Sequence, residues 1–194
     1  MKIHALARRY STLVNRIESA AVIINPDTHD ELSTNGIWDT GATNSVITKK
    51  AAQKLKLPVR EFTDVRGVGG LIQDVPVYLV DIRLNNENII VRARVTECEE
   101  LSIDGQIDML IGMNITRQGD FAISNYDGKT TMTFRVPSLC SIDYVKEIEE
   151  NNRFFKIHEI NVRKHLPDKC GCGSGKLYKN CHGSGIYNPS ATDS

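Results

Sequence analysis

The chain has 194 residues, 40% of them hydrophobic and 25% charged, and its 24 basic residues balance 24 acidic ones. This composition is typical of a globular protein with a buried core and unlike that of a disordered chain. The balance of charge argues against a nucleic-acid partner, because proteins that bind nucleic acids present a basic surface to the phosphates. The sequence has neither a secretory leader nor an apolar run of about 18 residues, which spanning a bilayer requires. It therefore predicts a cytoplasmic protein with no membrane partner.

The first third of the chain predicts a strand, a loop and a short helix, in that order. Residues 19–25 form an apolar run that stops at Pro26, and a polar loop is predicted from there to Gly36. Thr48 is a candidate N-cap for a helix over residues 49–55. The apolar residues between the loop and the helix carry the candidate catalytic turn.

The middle of the chain predicts short strands joined by tight turns. Alternating apolar and polar residues flank turn-forming segments at residues 85–87 and 127–128, so each is predicted to be the turn of a β-hairpin. A glycine-rich stretch at residues 66–70 marks another turn. Many short strands at this spacing predict a mainly β fold, a small closed β-domain over residues 11–136.

The character of the sequence changes after Pro137. Residues 142–166 are rich in charge with apolar residues at helical spacing, which predicts a helical connector. From Lys169 onward the chain is rich in Gly, Cys and Lys, as in a separate small unit. The predicted organisation is a β-domain at 1–137, a helical connector at 138–168, a small motif at 169–183 and a flexible tail at 184–194.

The turn that begins at Asp39 is the candidate catalytic element. Its carboxylate follows the apolar pair Ile37-Trp38, where burial of an unpaired charge is costly. Gly41 permits a tight turn and the close approach of another backbone. A single carboxylate has little hydrolytic power, but two that lie a hydrogen bond apart cannot both ionise. The ionised member then accepts a proton from water, while the protonated member polarises a substrate carbonyl.

The sequence Asp-Thr-Gly-Ala-Thr at residues 39–43 resembles the active-site signature of retropepsin-like aspartic proteases. Two further segments stand in the order of that family. Residues 66–70 resemble the flap that folds over a bound peptide, and Leu-Ile-Gly at residues 110–112 resembles the element that packs beside the catalytic turn. In the family a short helix follows this element, and residues 113–117 are the candidate. The resemblance spans residues 11–136.

The resemblance implies an aspartic endopeptidase with a retropepsin-like closed β-domain, acting on a peptide or protein substrate without a catalytic cofactor. It implies that Asp39 is the catalytic acid and base, that Thr40 forms a hydrogen-bond grip between subunits, and that Gly41 forms the turn. The flap residues that would contact substrate are Val68, Gly69 and Gly70. Because the sequence has one Asp-Thr-Gly, the pair of carboxylates is expected from a symmetric homodimer with Asp39 of each subunit at the two-fold axis.

The C-terminal motif offers four candidate metal ligands: Cys170, Cys172, Cys181 and His182. Three thiolates and one imidazole suit tetrahedral Zn²⁺, and four protein ligands leave no open position for catalysis. The zinc is therefore expected to be structural, and its binding supplies the folding free energy of a segment too short for a core.

The same run, Cys-Gly-Cys-Gly-Ser-Gly-Lys-Leu-Tyr-Lys-Asn-Cys-His at residues 170–182, resembles the SEC-C motif. The resemblance implies a zinc-bound interaction module that contacts a protein partner. The alternative to a peptidase is a catalytically silent retropepsin-fold binding or adaptor protein whose zinc motif is a docking tail.

Overall fold

The computed structural model describes residues 2–67, 69–153, 169–170 and 174–181. The chain divides into two compact units, Met1–Cys140 and Ser141–Ser194. The first unit is almost entirely β-structure. Its strands are β1 (His4–Arg9), β2 (Glu18–Ile24), β3 (Glu31–Trp38), β4 (Ser45–Thr48), β5 (Glu61–Gly67), β6 (Gly70–Leu84), β7 (Ile90–Cys98), β8 (Ile107–Ile111), β9 (Asp120–Ser124) and β10 (Thr131–Val136).

Two short α-helices interrupt the strands, α1 (Lys49–Lys54) and α2 (Met113–Thr116), and a 3₁₀ turn (Tyr126–Gly128) joins β9 to β10. Thr48 caps α1 through its side chain, which accepts a hydrogen bond from the amide of Ala51. This cap satisfies one of the amides that the first turn of a helix leaves without an internal partner. The prediction of a Thr48-capped helix is confirmed.

A closed barrel forms the centre of the first unit. Its strands follow the order β2-β3-β8-β4-β7-β6, and a further antiparallel pairing of β6 with β2 closes the circle. Alternate side chains point into the barrel, because successive residues of a strand face opposite sides. The buried interior includes residues with no exposed surface, among them Ile23, Ile47, Val80, Ile82, Met109 and Ile111.

β6 is long enough to contribute both to the barrel and to a hairpin outside it. Its second half pairs with β7 and β2 in the barrel, whereas its first half pairs with β5 alone. In the outer part of the resulting β5–β6 hairpin, residues 70–74 are exposed and Val65 is half-buried. The hairpin is an arm that extends from the barrel wall.

A second sheet of three strands, in the order β1-β10-β9, holds the two ends of the domain together. Met132 and Phe134 of β10 are fully buried and belong to the same hydrophobic cluster as the barrel interior. Asp120 at the start of β9 accepts hydrogen bonds from the segment after β10, including the amide of Leu139 at 2.9 Å. Hydrogen bonds from Ser138 and Leu139, together with the Arg135 guanidinium, hold the pKa of Asp120 well below its usual range.

The two hairpins predicted from the sequence are confirmed, since β6 pairs antiparallel with β7 and β9 pairs antiparallel with β10. The polar loop predicted between Pro26 and Gly36 is wrong, because most of it is strand β3, paired along its length with β2. Leu32 faces the core, but the polar residues around it face outward. So polar a segment is easily taken for a loop when only its composition is considered. The strand structure also begins at β1, ahead of the predicted start at residue 11.

The second unit contains a helix over residues 144–153, here called α3, whose described residues are all exposed. The rest of the predicted connector, residues 154–168, and the tail predicted at 184–194 lie outside the described residues. Further along, Lys169 and Leu177 form an isolated antiparallel bridge, followed by a 3₁₀ turn, Tyr178–Asn180. Within the described ranges, no helix combines the length and the apolar character needed to cross a membrane.

Candidate active site

The candidate catalytic residues lie in the loop of residues 39–44 between β3 and β4, here called the Asp39 loop. The end of β3 is firmly anchored. The indole of Trp38 is buried, donates a hydrogen bond to Ser19 Oγ at 2.9 Å and stacks on Phe121 with ring centroids 5.2 Å apart. Trp38 is thus a core residue that fixes the point at which the chain leaves the strand.

Asp39 is the first residue of the loop and is half-buried. Its amide donates to the carbonyl of Ile111 at 3.0 Å, and its Oδ1 accepts from the amide of Gly41 at 2.8 Å. The loop therefore turns around the carboxylate and aims it outward. Among the described residues, no second carboxylate and no cationic side chain bonds to Asp39, and the exposed Thr40 hydroxyl has no hydrogen-bond partner.

Gly112 supports the Asp39 loop from below. β8 runs between β3 and β4, parallel to the first and antiparallel to the second, so its end lies beneath the loop that joins them. A Cβ atom at Gly112 would lie 2.5 Å from Asn44 O and 2.9 Å from Ala42 O. Only a glycine fits there, because real Cβ atoms do not approach backbone oxygens so closely.

The first amides of α2 complete this support. Met113 N donates to Ala42 O at 2.8 Å, and Asn114 N donates to Thr43 O at 3.0 Å. The start of the helix thereby gains partners for amides that have none within the helix, and the loop carbonyls gain donors. The helix predicted after the Leu-Ile-Gly element is confirmed at Met113–Thr116.

Asn114 is a supporting residue that the sequence did not reveal. Its Oδ1 accepts from both the amide of Ser45 (2.8 Å) and its hydroxyl (2.7 Å), and its Nδ2 donates to Arg94 O at 3.0 Å. The Ser45 hydroxyl in turn accepts from Gly112 N at 3.0 Å. The Asn114 side chain thus links α2 to the start of β4 and to β7. Its partners are as many as 69 residues away in sequence, so no local pattern marks it.

The predicted flap corresponds to the β5–β6 hairpin. Gly69 and Gly70 lie in its exposed tip, and Gly70 has a φ of 113°, a conformation that favours glycine. Val68 lies outside the described residues. A bulge between Thr63 and Val65 interrupts the pairing of the two strands and re-aims the outer half of the hairpin.

The predicted zinc ligands are described only in part. Cys170 is buried and follows the Lys169–Leu177 bridge, with its amide donating to Lys176 O at 2.7 Å. Cys181 follows the 3₁₀ turn directly, and its Sγ lies 3.4 Å from Ser174 Oγ. Cys172 and His182 lie outside the described residues, so the four-ligand set remains a prediction.

This part of the chain is similar in sequence to a known protein family. Residues 22–115 match the family described as aspartyl protease. The matched segment runs from β2 to α2 and includes the Asp39 loop, the β5–β6 hairpin and Gly112. No curated protein sequence matches the chain.

Solved structures of low identity also match. A retropepsin-like aspartic protease from Rickettsia conorii is 13% identical with a TM-score of 0.48, over 70% of this chain and 96% of that one. The EIAV protease in complex with the inhibitor HBY-793 is 26% identical with a TM-score of 0.40, over 53% of this chain and 86% of that one. The retroviral protease-like domain of Ddi1 from Leishmania major is 16% identical with a TM-score of 0.39, over 66% and 94%. These TM-scores are low, so the conclusion depends on the family match alone. Over residues 22–115, which include the Asp39 loop, this chain is similar to the aspartyl proteases.

Proposed function

We propose that the protein is an aspartic endopeptidase that works as a homodimer, with Asp39 of each subunit forming the catalytic pair. The observation that carries the proposal is the Asp39 loop: a half-exposed carboxylate held by the Gly41 amide at 2.8 Å, on a backbone supported by Gly112 and Asn114. Fixing the loop in this way costs conformational entropy, and an ordinary surface turn does not need to be fixed so closely. The family match over residues 22–115 adds to it.

The chemistry follows from two carboxylates that share one proton. The ionised Asp39 removes a proton from a water molecule, and the water oxygen attacks the carbonyl carbon of the scissile peptide. The protonated Asp39 of the partner subunit donates its proton to the carbonyl oxygen. The resulting diol collapses as a proton passes to the leaving nitrogen and the C–N bond breaks. Water is the nucleophile, so no covalent acyl-enzyme forms and no cofactor takes part.

A second subunit is required because one chain offers one such carboxylate. Asp108 is buried in the barrel wall, but its Oδ1 accepts from Thr48 Oγ1 at 2.7 Å, which is a structural bond. The exposed Thr40 hydroxyl, beside Asp39, is available to a partner across a two-fold axis. A symmetric dimer brings two Asp39 loops together and gives both hydroxyls a partner.

We expect the specific activity to rise with protein concentration until the dimer saturates. Activity per subunit, measured on a peptide library over a dilution series, should follow the fraction of dimer from analytical ultracentrifugation. A statine-type transition-state mimic should bind the dimer and shift this curve to lower concentration, because a ligand that binds only the dimer stabilises it. Hydrolysis by a monomer would contradict the proposal. Peptide binding by a dimer without hydrolysis would favour the silent binding protein.

We further propose that the C-terminal motif binds one structural zinc ion through Cys170, Cys172, Cys181 and His182 and serves as a docking module for a protein partner. The bridge between Lys169 and Leu177 supports this proposal, because it folds the segment back on itself and places Cys170 in a buried position. So short a segment has no core of its own, and a tetrahedral metal site is the usual solution. The zinc would organise the motif and take no part in hydrolysis.

The purified protein should contain one zinc ion per chain, measured by inductively coupled plasma mass spectrometry. Cys181→Ser should lose most of it, because removal of one thiolate from a four-ligand site weakens binding strongly. The matched control is Cys140→Ser, an exposed cysteine outside the motif, which should retain full zinc content. A metal-free wild-type protein, or a Cys181→Ser variant with wild-type zinc content, would refute the zinc proposal.

A further inference from the structure

A pocket of about 460 Å³ opens where the β5–β6 hairpin leaves the barrel. The hairpin contributes Val65 and Ile72, which face each other across its two strands. The barrel contributes Val46 and Thr96, a neighbouring pair on β4 and β7. Because β4 directly follows the Asp39 loop, we infer that the pocket lies along the path of a peptide held between the hairpin and that loop. We call it the hairpin-base pocket.

The lining of the hairpin-base pocket is apolar on its walls and acidic at its edge. Val75 and Pro76 continue the aliphatic wall of the hairpin. Among the described residues that line the pocket, none is Lys, Arg or His. The acidic residues are Asp74, Glu97, Glu99 and Glu100.

Little positive charge offsets these carboxylates. Lys49 approaches Glu99 at 3.2 Å from an exposed position, and Glu97 accepts a hydrogen bond from Tyr78 OH at 2.6 Å. In the described part of the chain, neither Asp74 nor Glu100 has an ion-pair partner. The edge of the pocket is therefore net negative.

Two weakly acidic groups next to these carboxylates have raised pKa values. Burial, and then the charges of Glu97 and Glu99, raises the pKa of the Cys98 thiol to about 11. Burial, and then the hydrogen bond to Glu97, raises the pKa of Tyr78 well above its usual range. Burial is the larger cause for both groups, and the neighbouring carboxylates add to it because they oppose a second negative charge.

We propose that the hairpin-base pocket receives a lysine or arginine side chain of the bound peptide. The aliphatic walls accommodate the methylene stem, and the carboxylates at the edge bind the cationic head. A metal ion is a poorer occupant, because no three acidic, His or Cys side chains within the described residues are grouped to hold one. The inference rests on the proposed function, since it names a substrate preference for the same site.

The test is a set of peptides that differ at one position. Lysine, norleucine or glutamate is placed in turn at each position of an octapeptide with a central apolar pair. Norleucine has the stem of lysine without the charge, so it isolates the contribution of the carboxylates. Binding is measured by fluorescence anisotropy on the full chain carrying Asp39→Asn. This substitution is expected to prevent cleavage of the peptide during the measurement.

At one position on each side of the centre, the lysine peptide should bind about fivefold more tightly than the norleucine peptide, which corresponds to the attraction of partly exposed ion pairs. The glutamate peptide should bind worst, and added salt should reduce the preference. Adding Asp74→Asn, Glu97→Gln and Glu100→Gln should abolish it, because the amides keep the shape, and the hydrogen bond from Tyr78 to position 97, but remove the charge. The control pair Glu149→Gln and Glu150→Gln, on α3, should leave the preference unchanged.

Equal binding of the lysine and norleucine peptides, or no binding of any peptide, overturns the proposal. A preference that survives Asp74→Asn, Glu97→Gln and Glu100→Gln together also overturns it, because the cation would then bind elsewhere. Hydrolysis of the same peptides by the wild-type protein is a separate measurement. A lysine preference without any hydrolysis would refute the peptidase function and leave the pocket assignment standing.

Discussion

Replacing Asp39 with Asn is expected to abolish peptide hydrolysis while the dimer and the fold remain intact. An amide cannot accept a proton from water, so the loss should be about a thousandfold or more, as for removal of an essential general base. The Asn side chain keeps an oxygen that can accept the hydrogen bond that Gly41 N donates to Asp39 Oδ1 at 2.8 Å in the wild type. The geometry of the loop should therefore survive. Initial rates on a cleaved peptide measure the effect, and ultracentrifugation confirms the dimer.

Two controls give this result its meaning. Asp127→Asn makes the same chemical change in an exposed turn, at a position with φ of 53° that Asn tolerates, and should leave the rate unchanged. Mixing the wild type with excess Asp39→Asn should suppress activity beyond simple dilution, because each mixed dimer has one carboxylate. Full activity in Asp39→Asn would disprove the catalytic role of this residue.

Substituting Gly112 with Ala should both destabilise the protein and disable the Asp39 loop. The new methyl group would lie 2.5 Å from Asn44 O and 2.6 Å from Asn44 C, so the loop backbone must move. Overpacking of this kind costs about 1–3 kcal/mol. A displacement of catalytic groups by even 1 Å strongly lowers rates. Urea unfolding measures the first effect, and hydrolysis at a temperature at which the variant is folded measures the second.

Gly67→Ala is the matched stability control for this experiment. A Cβ atom at Gly67 meets no atom within 4 Å. Its unfolding midpoint should therefore equal that of the wild type, whereas the Gly112→Ala midpoint falls. If Gly112→Ala unfolds at the wild-type urea concentration and retains its rate, the loop does not depend on this close contact and our account of its support is wrong.

Local patterns in the sequence were enough for several elements. The Thr48 cap, the two hairpin turns and the short helix after Leu-Ile-Gly each depend on residues within a few positions of one another. The polar strand β3 was mistaken for a loop because its pairing with β2 and β8, rather than its composition, makes it a strand. β1 was missed for the same reason, since its partner β10 begins more than 120 residues later.

The amino-acid sequence by itself determined the position of the candidate carboxylate at Asp39, the glycines around it and the spacing of the C-terminal cysteines, because turns and short motifs are specified by adjacent residues. Only the tertiary structure decided what supports Asp39 and what lies beside it. The β2–β6 pairing that closes the barrel, the Asn114 hydrogen bonds to Ser45, and the acidic edge of the hairpin-base pocket all join residues far apart in the chain. Such contacts form because the strands bury a shared core, and a one-dimensional pattern does not record which strands become neighbours.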